Sequence, residues 1–152
     1  MRNRTAYDGI VEVVGSPRSR RSSLPSLIAA LIAFADDALY LLLIRSQGSS
    51  RDPRVTFVAV FIAGEATIAL TAALVARPAA RTVLLGPAFG GLLALGLLAM
   101  FSIGLPLVVA GILTGLAWAR SIRPGQPSFV KPLSLAFAAL ALVVLSTGIA
   151  LT

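Results

Sequence analysis

The chain has no cysteine and no histidine, and its one lysine stands beside twelve arginines. Without cysteine there is no thiol chemistry and no disulfide bond, and without both residue types the usual zinc ligands and haem attachment are excluded. Imidazole acid-base catalysis is excluded as well. No motif in the chain specifies a reaction, so we expect no enzyme activity, no metal site and no cofactor.

Charge is also scarce. Only 12% of the 152 residues are charged and 57% are hydrophobic, with a mean hydropathy of +0.92. This balance lies far outside that of a soluble globular domain, and it predicts an all-α integral membrane protein. The preference for arginine over lysine, with abundant alanine, leucine and glycine, is typical of a GC-rich bacterial genome. We therefore expect a multi-pass protein of the bacterial inner membrane.

Five apolar runs are long enough to form membrane-spanning helices, which need about 20 residues to cross about 30 Å of hydrocarbon. Residues 1–23 are polar and basic and are expected to form a mostly disordered cytoplasmic tail. Residues 24–152 are expected to form a compact transmembrane bundle. The predicted spans are about 24–44, 55–76, 82–101, 105–119 and 132–151.

One apolar stretch, from Thr82 to Ala119, is too long for a single crossing. Gly104 and Pro106 mark the natural break, because glycine suits turns and proline is tolerated in the first turn of a helix. We predict a tight hairpin of two spans here. Since its second arm is short, the alternative is four spans plus one re-entrant element.

Basic residues are distributed unevenly between the loops. Five spans with a cytoplasmic N-terminus place ten basic residues inside and three outside, as the positive-inside rule favours. The four-span alternative reduces this to seven against six. The basic residues flank apolar spans, and such charge is explained by the orientation of the spans in the membrane and by contact with anionic lipid headgroups. We therefore expect a lipid bilayer as partner and no nucleic acid.

Three acidic residues lie inside apolar spans that contain no basic residue. Asp36 and Asp37 lie in the first span and Glu65 lies near the middle of the second. An acid at the bilayer centre costs at least about 2.5 kcal/mol, so such residues indicate a functional site. The adjacent aspartates cover one polar arc of their helix, and Tyr40, one turn beyond Asp36, could donate to a carboxylate.

Small residues share the helix faces of these acids at spacings of three and four, so we expect both faces to point into the bundle, where another helix can approach closely. These residues are Ala29 and Ala33 beside the aspartates, and Ala69 and Ala72 beside Glu65. Thr67 and Thr71 offer hydroxyls near Glu65.

In two antiparallel helices the three acids come to similar depths, so we predict that they form one site. Close carboxyl groups away from water cannot all be ionised, and at least one is expected to be protonated at neutral pH. Three roles fit such a site: handling of protons or cations, hydrogen bonding that fastens two helices, and pairing with a basic residue of a partner protein. The Asp36-Asp37 pair is similar to aspartates that bind magnesium in prenyl-transferring enzymes, but the companion residues of those enzymes, and of aspartyl proteases, are missing.

Two small-residue motifs predict close helix packing. Gly86-x-x-x-Gly90 and Gly111-x-x-x-Gly115 lie in the two arms of the hairpin, so we expect them to pack on each other or on neighbouring spans. One alternative is packing between copies in a homo-oligomer. Another is a broken helix at a binding site, marked by Pro87 with Gly90, Gly91 and Gly96. Trp118, at the end of the fourth span, is expected to be an interfacial anchor.

Two functions fit these features. The first is a non-enzymatic subunit or accessory protein of a larger membrane assembly, because the chain is small and has little structure facing water. The second is a small proton- or cation-coupled transporter that uses the carboxylate cluster. Partners would then be another membrane protein or further copies of the chain.

Overall fold

The structure, a computed structural model, describes residues 17–48, 52–100 and 104–152, with side chains from residue 23 onward. Within these ranges every regular element is an α-helix and there is no strand. All five helices contain a segment long and apolar enough to cross a membrane. The helices are α1 (Pro17–Ser46), α2 (Pro53–Leu74), α3 (Pro78–Leu98), α4 (Gly104–Ser121) and α5 (Val130–Leu151).

The helix boundaries follow local chemistry. Asp52 caps α2 by accepting a hydrogen bond from the backbone N–H of Arg54 at 2.9 Å, and Pro53 occupies the first helical position. Pro78 takes the same first position in α3. Between α4 and α5 the chain turns at Gly125, whose φ of 86° is a conformation that other residues rarely adopt.

Successive helices run antiparallel, as shown by contacts between their ends. Ser26, early in α1, donates to the carbonyl of Ala69, late in α2, at 2.6 Å. Thr82, early in α3, lies beside Ser121 at the end of α4. α1 packs on α2 and α4, and α3 packs on α2 and α4, so these four helices form a closed ring. α5 lies outside the ring, mainly against α3.

The central core joins all five helices with small and aliphatic side chains. Its fully buried members include Ala33 of α1, Ala66 of α2, Leu92 of α3 and Ala110 of α4. Alanine on α1 and α2 brings those backbones close together, which explains why the two predicted interior faces meet.

The predicted five-helix hairpin architecture is confirmed, with shifted boundaries. α1 begins at Pro17, so residues 17–23 of the expected tail are helical, while residues 1–16 lie outside the described part. α3 ends at Leu98 and α4 begins at Gly104, so the break lies within a few residues of the predicted position and Gly104 and Pro106 belong to the first turn of α4. α4 is continuous over 18 residues and is a candidate span, which favours five spans over the re-entrant alternative.

The glycine motifs pack within the chain, but not on each other. A Cβ at Gly86 would collide with Ser134 of α5, and one at Gly90 would lie 3.3 Å from the Cβ of Ala138. On α4, a Cβ at Gly111 would lie 2.9 Å from the backbone nitrogen of Leu93. The motif of α3 therefore allows close packing of α5, and the motif of α4 allows close packing of α3. The broken-helix alternative is wrong, because α3 continues through Pro87 to Leu98.

Candidate functional site

The acidic pair of α1 lies on its interior face, as its spacing predicted. Asp36 is 3% exposed and Asp37 is 9% exposed, while Ala29 and Ala33, on the same side, are fully buried. These positions recur every three or four residues, which is the period of one helix face. Since α1 packs on α2 and α4, this face points into the ring of four helices.

Each carboxyl group of this pair has one buried oxygen without a hydrogen-bond partner in the described residues. Oδ2 of Asp36 and Oδ1 of Asp37 are buried, and neither has a partner among the described residues. The half-buried Tyr40 follows one turn later on α1, but no hydrogen bond joins its hydroxyl to either aspartate in that part of the chain. Buried polar groups are nearly always satisfied in folded proteins, so two such oxygens on adjacent residues are exceptional.

Glu65 lies on the interior face of α2 and is 5% exposed. Ala69 and Ala72 share this face and are fully buried, as predicted. The carboxyl group lies directly against Gly91 of α3, where a Cβ would collide with it. Oε2 of Glu65 is also buried without a hydrogen-bond partner in the described structure. The absence of a side chain at Gly91 thus provides the space for the carboxyl group.

The predicted hydroxyls near Glu65 are not available to it. Thr67 and Thr71 lie on the exposed face of α2, and each donates to the carbonyl four residues earlier, at 2.7 and 2.8 Å. Threonine often satisfies its hydroxyl in this way within a helix. Glu65 therefore depends on its surroundings across the helix contact, not on its own helix.

The three acids lie beside the same central core, but they are not hydrogen-bonded to one another in the described residues. Ala33 precedes the aspartates by about one turn and Ala66 follows Glu65, and both belong to the central core cluster. In the described residues no hydrogen bond links the aspartates to Glu65. Glu65 instead faces α3. Convergence of the three acids in one site stays a prediction.

A cleft of about 570 Å³ lies between α2, α3 and α5, with Glu65 in its wall. Its other walls are apolar and include the aromatic rings of Phe57, Phe61 and Phe137. α2 and α5 close it at one end, where Phe57 packs on Gly148. Of the described residues that line it, Glu65 alone has an ionisable side chain. No pattern in the sequence predicted this cleft.

A second polar cluster, which we call the hydroxyl network, was not predicted. It joins the start of α3, the end of α4, the start of α5 and the loop before α5. The indole N–H of Trp118 donates to Oγ of Ser134 at 2.8 Å, and that hydroxyl donates to the carbonyl of Thr82 at 3.0 Å. The hydroxyls of Thr82 and Ser121 are 2.9 Å apart, and Nε2 of Gln126 donates to the carbonyl of Ser121 at 3.1 Å.

The polar edge of the Trp118 ring, its indole N–H, therefore points into the bundle toward α5. Its ring stacks on Phe89 with centroids 6.4 Å apart and an interplanar angle of 10°. A Cβ at Gly115 would lie 2.8 Å from the same Phe89 ring. An interfacial anchoring role for Trp118 stays a prediction. The isolated serine and threonine residues next to loop boundaries were the available signal for the network, but such residues are common at helix ends.

No group of three or more acidic side chains in the described chain comes together in a way that could hold a metal ion. Comparison with protein-family models, with curated proteins and with solved structures finds no match for this chain.

Proposed function

We propose that this chain is a small multi-pass membrane protein that takes up and releases a proton or a cation at carboxyl groups inside its bundle. The proposed location is the bacterial inner membrane, with the N-terminus in the cytoplasm. Alternation of the five helices brings Arg77, Arg120 and Lys131 to the bundle end where α1 begins. The other end carries Arg45 and Arg54 beside Asp52 in the described chain. Under the positive-inside rule, the more basic end faces the cytoplasm.

The observation that carries this proposal is the burial of Asp36, Asp37 and Glu65 with oxygens that have no partner in the described chain. An ionised carboxylate in an apolar interior is very costly unless it is paired. Such a group therefore holds a proton or a cation, and exchange of one for the other is the chemistry it can perform. This is what a coupling site in a transporter requires.

The other two roles for these acids receive less support. Fastening of helices requires hydrogen bonds from the carboxyl groups to neighbouring helices, and the buried oxygens named above have none in the described residues. Pairing with a partner's basic residue requires access from outside the bundle. Asp36 is 3% exposed and lies on the face of α1 that points into the ring of four helices, so a neighbouring chain could not reach it without opening the bundle.

Flux measurements on reconstituted protein test the proposal. Proteoliposomes with an entrapped pH indicator, driven by a potassium gradient and valinomycin, should show proton movement that Glu65→Gln abolishes. Sodium and potassium movement is measured in parallel in vesicles loaded with indicators for these ions. Asp52→Asn is the matched control, since it also changes an acid to an amide but lies outside the spans, and asparagine caps helices as well as aspartate does.

The same vesicles give results that would reject the proposal. Absence of proton, sodium and potassium flux in the unmutated protein would do so. So would equal flux in Glu65→Gln, Asp36→Asn and Asp37→Asn. Circular dichroism and monodisperse elution in detergent confirm that each variant is folded before its flux is compared.

A second proposal is a non-enzymatic subunit or accessory protein of a larger membrane assembly. The exposure of α1 and α5 supports it. Only 22% of the candidate span in α1 and 17% of that in α5 are buried, compared with 50% of the span in α3. These outward faces could contact another membrane protein, or a further copy of the chain, as well as lipid. Purification in a mild detergent should then recover a partner in fixed ratio. A lone monomer after crosslinking in the membrane would reject this second function.

A further inference from the structure

The cleft between α2, α3 and α5 has the size and composition of a small-molecule site. Ligand pockets typically measure about 300–1,000 Å³, with apolar and aromatic walls and a few polar groups that orient the ligand. This cleft, at about 570 Å³, lies within that range. The polar group of the cleft is the carboxyl of Glu65. This side chain is only 5% exposed, and one of its oxygens has no hydrogen-bond partner in the described residues.

The mouth of the cleft lies on the outer surface of the bundle. Val60 of α2 and Leu140 of α5 both line the cleft, and they are 66% and 53% exposed. Since these faces are apolar, a molecule dissolved in hydrocarbon could enter from the side. The three phenylalanine rings in the walls offer stacking surfaces and favourable contact with a cation.

The cleft also contains a break in the hydrogen bonding of α3. Pro87 lies within α3 and has no N–H, so it cannot donate to the carbonyl of Val83, four residues earlier. Both residues line the cleft. The described residues that line the cleft thus include one carboxyl group and no basic side chain. Charge complementarity favours a positively charged occupant.

We propose that this cleft binds a lipophilic aromatic cation, whose charge lies beside Glu65 and whose rings lie among Phe57, Phe61 and Phe137. This inference rests on the proposed function, because it names the class of cation that the carboxyl site exchanges. Bound cation replaces the proton on Glu65, so charge in the apolar interior stays balanced. No covalent step is involved.

Binding to the purified protein in detergent tests this inference separately from flux. The probe is tetraphenylphosphonium, measured by equilibrium dialysis, and its neutral counterpart is triphenylphosphine oxide. The full chain should bind the cation well above the neutral compound. Glu65→Gln should weaken cation binding about tenfold or more, as expected on loss of a charge partner, and should leave the neutral compound unaffected.

A matched pair of variants on α5 tests the location. Val144 and its neighbour Val143 are both exposed, at 46% and 59%, but of the two only Val144 lines the cleft. Val144→Trp should therefore fill the cleft and abolish cation binding, and Val143→Trp should bind as the unmutated protein does. Both place tryptophan on the outer part of the same helix, so a general effect on folding would affect both.

The outcomes separate the two proposals. Absence of cation binding, with ion flux that still depends on Glu65, overturns the cleft as a site and leaves the proposed function standing. Equal binding of the neutral compound, or unchanged binding in Glu65→Gln or Val144→Trp, also overturns the inference. Cation binding that is lost in both of these variants, in a protein that moves no protons even when tetraphenylphosphonium is present, supports the cleft and rejects transport.

Discussion

The hydroxyl network and the acids of α1 and α2 differ in how their buried polar groups are hydrogen-bonded. In the network, Trp118, Ser134 and Thr82 are joined by hydrogen bonds of 2.8 and 3.0 Å across three helices, although at its edge Oε1 of Gln126 is buried without a partner in the described residues. On α1 and α2, Asp36 and Glu65 are buried as Ser134 and Thr82 are, yet each has a carboxyl oxygen without a partner in the described structure.

This difference in hydrogen bonding has opposite effects on stability. A satisfied buried hydrogen bond contributes about 0.5–1.5 kcal/mol to stability, whereas an unsatisfied polar group costs about 1–3 kcal/mol. The network therefore stabilises the contact of α3, α4 and α5, and the acids weaken the bundle where they lie. Groups that lower stability are typical of functional sites. The following changes are expected to affect the two regions differently.

Gly86→Ala should give the largest loss of stability. The added Cβ would collide with both the backbone carbonyl and the hydroxyl of Ser134, so α3 and α5 would have to separate. We expect a loss of about 3 kcal/mol, at the upper end of overpacking effects, measured as thermal stability in detergent. The control is Gly64→Ala, whose Cβ meets nothing within 4 Å and should raise stability by up to about 1 kcal/mol. Equal stability of the two variants would contradict the packing.

Ser134→Ala should have the next largest effect. It removes the acceptor of the Trp118 indole and the donor to the Thr82 carbonyl, and the site is fully buried. The expected loss is about 1–3 kcal/mol, because a buried N–H is left unpaired. Ser146→Ala on the same helix is the control. Its exposed hydroxyl bonds only to the carbonyl of Leu142, and the change should stay within about 0.5 kcal/mol.

Glu65→Met should shift stability in the opposite direction. Methionine has a similar length and no charge, so it fills the space against Gly91 without an unpartnered oxygen. We expect a gain of about 1 kcal/mol in detergent together with loss of ion flux. A loss comparable to that of Ser134→Ala would show that the carboxyl fastens α2 to α3, and would equate the two regions.

The interior faces of α1 and α2 could be predicted because the cost of a buried acid is a property of the residue itself. Small residues at spacings of three and four on the side of Asp36 and Glu65 then marked where other helices approach. The same reasoning placed the hairpin break before Gly104 and identified five helices. These conclusions need only local periodicity and composition.

The partners of the glycines could not be predicted. A small-residue motif shows that a backbone approaches closely, but not which one. α3 carries glycine on two faces, so Gly86 admits α5 while Gly91 admits the Glu65 carboxyl of α2. The cleft was equally hidden, since it is the space that remains between α2 and α5 once Phe57 packs on Gly148.

Gly91→Ala should give the smallest change in stability and yet affect the site. The new Cβ would meet the end of the flexible Glu65 side chain, so the carboxyl can rotate away and the helices need not move. Loss of a helical glycine compensates in part, and we expect a net change within about 1 kcal/mol. Tetraphenylphosphonium binding should nevertheless fall, because the carboxyl no longer occupies its place in the cleft wall.

Gly90→Ala provides the matched comparison for this last change. It alters the neighbouring residue of α3, but its Cβ would lie 3.3 Å from Ala138 of α5 and away from Glu65. It should reduce thermal stability at the α3–α5 contact while cation binding at a temperature where the protein is folded stays unchanged. If Gly91→Ala bound the cation as well as Gly90→Ala does, the place of the Glu65 carboxyl beside Gly91 would have no role in binding. The acids of α1 and α2 would then differ from the hydroxyl network in hydrogen bonding alone.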